Sequence, residues 1–132
     1  MKKTLLLISI FLAMPSYGAS LSGEVTQYTD GDTLRIWEQK IRLLGIDAPE
    51  FSQSCKDRNG KAYSCGVKSL NYLKKLIGKQ QVRCEGNETD RYDRLLATCY
   101  VGDTNINKKL VEQGWAVAFV RYDEVYLPQE KA

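Results

Sequence analysis

Apolar and polar positions along the chain mark out short strands with two helices set among them. Residues 21–27 alternate and predict a first strand. Residues 33–37 and 41–46 follow as two further β-type runs, joined by polar Glu38-Gln39-Lys40, so a hairpin is expected there. Over residues 66–77 the period changes: Val67, Leu70, Leu73, Leu76 and Ile77 recur at helical spacing, and Gly78 is a natural stop. Residues 81–85 and 95–101 return to strand patterning. Thr104 or Asn105 can then cap a second helix over 106–113, ended by Gly114. Five short strands with a helix inserted after the third predict an α+β, mainly β fold, a small barrel of the OB type.

The start of the chain belongs to a different pattern. Lys2 and Lys3 precede an apolar run over residues 4–14 that is too short to span a bilayer, and small residues follow at Ser16, Gly18 and Ala19. Residues 1–18 therefore read as a secretory signal peptide cut after Gly18 or Ala19. Residues 19–132 remain as a single domain with one modest core, and no other segment could cross a membrane.

Composition then narrows the chemistry. Taking Lys2 and Lys3 from the 19 basic residues leaves 17 against 16 acidic ones, so an anionic partner must be met by a local patch. There is no histidine, which excludes Ser-His and Cys-His triads and histidine zinc sites. Export makes the four cysteines readable as disulfides. Cys55 and Cys65 flank a polar loop, while Cys84 and Cys99 lie on two strand-like runs, so Cys55–Cys65 and Cys84–Cys99 is the pairing chosen among three. Ligation of one metal by all four thiolates is the alternative, although the close CxxC pairs of structural zinc sites are missing.

Two stretches carry candidate chemistry. In the first, 30–50, the hairpin would bring Asp30 and Asp32 near Asp47 and Glu50, with Arg35 and Arg42 between them. Carboxylates gathered so closely repel one another unless a positive charge sits among them. A hard divalent cation with oxygen ligands answers that need. The plain alternative is that Asp-Gly makes a turn and Ala-Pro-Glu ends a strand. In the second stretch, 90–97, Arg91 and Arg94 enclose Tyr92 and can grip phosphate while the ring offers a stacking face. Its plain alternative is a charged hairpin tip with local Asp–Arg pairs. Phe119, Arg121 and Tyr122 repeat the basic-plus-aromatic theme, or form the edge of the core.

DGDT at 30–33, IRLLGIDAPE at 41–50, DRYDRLLA at 90–97 and EQGWA at 112–116 together resemble the thermonuclease (staphylococcal nuclease-like) family in order and spacing. The resemblance covers roughly residues 23–122, and the cysteine pattern is similar to that of secreted and periplasmic bacterial members. It implies an OB-fold barrel with two or three packed helices, the family's last helix being expected to be missing from this chain. It also implies a calcium-dependent phosphodiesterase acting on single-stranded DNA and RNA, leaving 3′-phosphates, secreted or periplasmic, monomeric and without stable membrane association. Carried over by position, Asp32, Asp47 and the backbone carbonyl of Ala48 correspond to ligands of one calcium ion, with Asp30 as an outer acid. Glu50 corresponds to the proposed general base, and Arg42 and Arg94 to the phosphate-binding arginines. Arg91 and Tyr92 resemble the pair that binds a terminal phosphate, and Tyr122 the ring near the base. Asp93 stands where the family pattern has glycine, and aspartate tolerates a positive φ better than most residues. A non-catalytic OB-fold module that binds nucleic acid or protein is the competing expectation.

Overall fold

A computed structural model describes residues 19–119. Residues 1–18, expected to be a signal peptide, and residues 120–132, which include Arg121 and Tyr122, lie outside the described residues. In chain order the elements are β1 (Ser20–Gly23), β2 (Val25–Asp30), β3 (Thr33–Ile36), β4 (Gln39–Leu43), β5 (Ile46–Asp47), β6 (Cys55–Lys56) and β7 (Ala62–Tyr63). There follow α1 (Cys65–Ile77), β8 (Val82–Thr89), β9 (Leu95–Val101), β10 (Thr104–Asn105), α2 (Ile106–Glu112) and β11 (Val117–Ala118).

The main sheet runs β1-β8-β9-β4-β3-β2, with β10 added to β9. Its two ends, β1 and β2, are separated in sequence only by Glu24. A sheet whose outer strands are nearly continuous must curl, and this one does, as a curled half-barrel of OB type. The first predicted strand, 21–27, is therefore two strands: one half pairs with β8, the other with β3. Periodicity could not reveal that break, because both halves show one face to the core.

The β3–β4 hairpin is tighter than the expected 38–40 linker. Ile36 lies opposite Gln39, leaving Trp37-Glu38 as a two-residue turn, with Trp37 at φ 52°. Hydrophobic register dictates this choice. In the observed register Leu34 faces Ile41 and both are fully buried. A three-residue linker would have set Ile36 opposite Arg42, mixing the core face with the polar one. The Trp37 indole lies across β1 and donates to the Ser22 carbonyl at 3.1 Å.

Strand β8 runs on to Thr89, past the expected 85, through a register shift between Glu85 and Glu88. Gly86 sits at that irregularity, and a Cβ there would come within 2.1 Å of the Leu96 carbonyl oxygen. The core is built from Leu34, Ile36, Ile41 and Leu43 on the hairpin, Val82 and Ala97 on β8 and β9, and Leu73, Ile77, Ile106 and Leu110 from the helices. Cys84 and Cys99 are directly opposed, fully buried and joined as a disulfide; Cys55 and Cys65 are joined as well. With no free cysteine among the described residues, a four-thiolate metal site is overturned. No described helix is long and apolar enough to cross a membrane.

Candidate active site

The tight hairpin sends the start of β3 and the end of β4 to one place, where the Leu43 amide donates to the Asp32 carbonyl at 2.8 Å. Asp32 is 4% exposed. Its Oδ1 accepts from Thr33 Oγ1 at 2.9 Å and its Oδ2 from the Ala48 amide at 2.8 Å. The DGDT turn and the IDAPE segment are thus tied through one buried carboxylate, which is more than turn chemistry requires. Gly31 lets the turn rest on α1: a Cβ there would fall 2.1 Å from Ser69 Oγ. That hydroxyl donates to the Trp115 carbonyl at 2.8 Å, so the turn, α1 and the segment after α2 meet at one point.

Arg42 fills the space between the acids. Its Nη1 donates to the carbonyls of Leu43 and Ile46 at 2.9 Å each and lies 3.3 Å from Asp32 Oδ2. Its Nη2 donates to Asp47 Oδ1 at 3.2 Å. One guanidinium is therefore held between a buried carboxylate and an exposed one. Asp30 adds a third carboxyl, half-buried, with its Oδ1 accepting from the Asp32 amide at 3.2 Å. Burial first, then the hydrogen bond and charge of Asp32, push Asp30 up to about 6.

Glu50 is exposed but its main chain is fixed. The Glu50 carbonyl accepts from the Gln53 amide at 2.8 Å, and the Gln53 carbonyl accepts from the Gly66 amide at 3.2 Å. A Cβ on Gly66 would lie 1.8 Å from the Glu50 oxygen, so the start of α1 abuts this segment directly. Neither of the two cavities described below counts Glu50 among its walls.

Arg94 comes from the β8–β9 turn, and Asp90 organises it. Asp90 Oδ1 accepts from the amides of Tyr92 and Arg94 at 2.9 and 3.1 Å. Its Oδ2 lies 2.7 Å from both Nε and Nη2 of Arg94. Burial pulls the Asp90 pKa upward, but these bonds from Arg94 and Tyr92 outweigh it and hold the carboxyl below its ordinary value. Asp93 takes φ 64°, the left-handed backbone that its family-type glycine would suit, and its carbonyl accepts from Gln39 Nε2 at 3.2 Å. The Tyr92 ring is 62% exposed, with the Arg91 and Arg94 guanidinium carbons 4.9 and 5.3 Å from its centroid. Local Asp–Arg pairing, the plain reading of this tip, is present together with the arginine–tyrosine cluster.

The two stretches meet across a cleft of about 600 Å³ whose walls include Arg42, Arg91, Tyr92 and Arg94. Beside it Asp32 and Asp47 pair with Arg42, and Asp30 and Ala48 are hydrogen-bonded to Asp32; Tyr122 falls outside the described residues. Sequence reasoning gave no structural role to Asn107 and no special place to Asp90. Asn107 is fully buried, donates to the Leu44 and Ala97 carbonyls at 2.9 and 3.1 Å, and accepts from the Cys99 amide at 3.1 Å. Its only sequence signal is a polar residue on the same helical face as Leu110 and Val111.

A metal ion is implied by the resemblance. Among the described residues no three acidic or cysteine side chains form a ready cage. The donors at hand, Asp32, Asp47 and main-chain carbonyls, are hard oxygens of the kind calcium accepts. Asp30 stands behind Asp32, its Oδ1 accepting from the Asp32 amide. The set fits a hard cation completed by water.

The curled sheet brings Arg42 from β4 and Arg91 and Arg94 from the β8–β9 turn to one cleft, with Asp32 and Asp47 paired to Arg42 beside it. A family model described as staphylococcal nuclease homologue matches residues 40–132. An uncharacterized endonuclease of Haemophilus influenzae is 37% identical over 114 residues, covering 81% of this chain and 58% of that protein. The thermonuclease of Staphylococcus intermedius is 33% identical over 113 residues, covering 81% and 62%. The succinoglycan biosynthesis protein ExoI of Rhizobium meliloti is 39% identical over 90 residues, covering 67% and 47%. The chain belongs to the staphylococcal nuclease family. It spans about half the length of the first of these relatives.

Proposed function

We infer that this protein is a calcium-dependent nuclease that hydrolyses single-stranded DNA and RNA, leaving 3′-phosphates. The observation that carries this reading is the cleft shared by Arg42 and Arg94, with the Asp32–Arg42–Asp47 cluster at its edge. Relatives named endonuclease and thermonuclease support it. A binding module would need the arginines but not the buried carboxylate that fixes one of them.

A phosphodiester resists attack because its anionic oxygens repel a nucleophile and charge builds up further on reaction. Calcium held by Asp32, Asp47 and the Ala48 carbonyl, with Asp30 behind them, would supply Lewis acidity and a template for the attacking water. Glu50, on a fixed main chain with its carboxylate in water, accepts the proton of that water. Arg42, anchored on two carbonyls, turns its remaining N–H groups to the phosphoryl oxygens. Asp90 engages two N–H groups of the Arg94 guanidinium, and the other three are left for phosphate. Arg91 and Tyr92 hold the neighbouring phosphate, and Tyr122 takes the base. Residues 1–18 direct export to the periplasm or the medium, where disulfides persist, and the mature chain acts as a monomer.

The test is cleavage of a labelled single-stranded DNA by the oxidised mature chain, in calcium and in excess chelator. Cleavage should require calcium, and Glu50→Gln and Arg94→Ala should each lower the rate by about 10²-fold or more without unfolding the domain. Strand binding in calcium with no turnover would instead identify a binding module.

A further inference from the structure

The loop closed by Cys55 and Cys65 has no part in the roles above, yet it borders the same site. Strands β6 and β7 pair Cys55 with Tyr63 and Lys56 with Ala62, leaving residues 57–61 as a projecting tip. The one acid of that tip is turned into its own backbone: Asp57 Oδ1 accepts from the amides of Asn59 and Lys61 at 2.8 and 2.9 Å. Lys56, Arg58 and Lys61 are exposed, and none belongs to an ion pair among the described residues. Lys68, in the first turns of α1, places its Nζ 5.5 Å from the centroid of the Tyr63 ring. In a chain whose formal net charge is only +3, this is a local concentration of cations.

Beneath the finger is a second cavity of about 220 Å³, walled by Tyr63, the Cys55–Cys65 bridge, Trp115 and Val117, and reaching Asp47 and Ala48. Arg42 lines the main cleft and is paired with Asp47, which lines this smaller one. The two cavities are therefore linked through that ion pair.

We propose that the Cys55–Cys65 finger and the cavity beneath it form a second nucleotide subsite, on the side of the scissile phosphate away from Arg94 and Tyr92. This rests on the nuclease reading. A single strand held by a phosphate at Arg42 and running past Asp47 would reach the finger. There it meets an aromatic ring beside a partly apolar recess, with lysines and an arginine around it. Those are the features that bind single strands without sequence preference: stacking for the base and positive charge for the backbone. An anionic polymer without bases would use the cations but gain nothing from Tyr63.

The test is anisotropy of a labelled short oligothymidylate with the full mature chain in chelator, across a salt series. Tyr63→Ala should weaken binding about tenfold, and an abasic strand should bind the unmodified protein with a similar loss. The triple variant K56S/R58S/K61S should flatten the slope of log affinity against log salt by about 2. All four positions are solvent-facing, and matching near-ultraviolet circular dichroism checks that the fold is kept. Unchanged affinity and slope in these variants would overturn the subsite, as would an abasic strand bound as tightly as oligothymidylate. Cleavage in calcium is followed in parallel. Binding that depends on Tyr63 without any cleavage would leave the subsite standing and defeat the nuclease reading. Cleavage with KM unchanged in both variants would do the reverse.

Discussion

Arg42 and Arg94 reach the same cleft but are held in different ways. Arg42 hangs on two main-chain carbonyls and two carboxylates, whereas Arg94 is held by the Asp90 carboxylate and lies over the Tyr92 ring. Asp90→Asn should therefore misplace Arg94 and raise KM for single-stranded DNA, while the urea midpoint at neutral pH falls modestly. The same pair sets an acid dependence. Because the Asp90 pKa is lowered from its ordinary 3.8 in the folded state, its contribution is complete above that value and disappears as pH falls through the lower folded value. Urea midpoints of the unmodified protein and Asp90→Asn should differ at neutral pH and converge as acidification passes the lowered folded value; a gap that stays constant on acidification would remove Asp90 from this role. Asp93 shows how far single residues were legible. It stands where the family pattern has glycine, and its φ of 64° is the left-handed backbone that glycine favours. That Asp90 would be the residue organising the turn was not legible, because Asp90 and Asp93 are the same residue type three positions apart.

At the scale of elements, the start of α1 and the Glu50 segment form one unit. Glycine to alanine in a helix ordinarily stabilises it by up to about 1 kcal/mol. At Gly66 the sign should reverse, because a Cβ would sit 1.8 Å from the Glu50 carbonyl and 2.7 Å from that of Phe51. Gly66→Ala must push the Glu50 segment outward or shift the helix. The expected result is a cost of about 1–3 kcal/mol in urea unfolding and a fall in kcat larger than in KM. A neutral or stabilised variant with full activity would show that the contact does not position Glu50. Elements with strong periodicity, β3, β4, β9 and both helices, were legible because one face of each is buried. The two-residue strands β5, β6, β7, β10 and β11 were not, since two residues cannot show a period and tertiary contacts alone make them pair.

For the molecule as a whole, the curled sheet explains why the site was only partly readable. The hairpin brings Asp32, Arg42 and Asp47 together by local folding, and that cluster could be argued from residues 30–50 alone. Joining it to Arg94 requires β4 to lie parallel to β9, with Ile41 beside Leu95 and Leu43 beside Ala97. No local pattern encodes a parallel pairing between segments so far apart; it follows from closure of the sheet through β1 and β2. The two disulfides divide along the same line. Cys84–Cys99 crosses β8 and β9 inside the core, whereas Cys55–Cys65 fastens the finger to the start of α1. Chain entropy assigns each bridge about 3 kcal/mol, so stability by itself would not tell them apart. Cys84→Ala/Cys99→Ala should cost more than this, since two fully buried sulfurs are also lost, while the molecules that remain folded should keep the kcat of the parent. Cys55→Ser/Cys65→Ser should cost about 3 kcal/mol or less but raise KM for single strands, because the finger and Tyr63 lose their fixed place beside Asp47. Urea unfolding and steady-state cleavage on the two variants give the separation directly: a KM change confined to the core pair would mean that the finger does not touch the substrate.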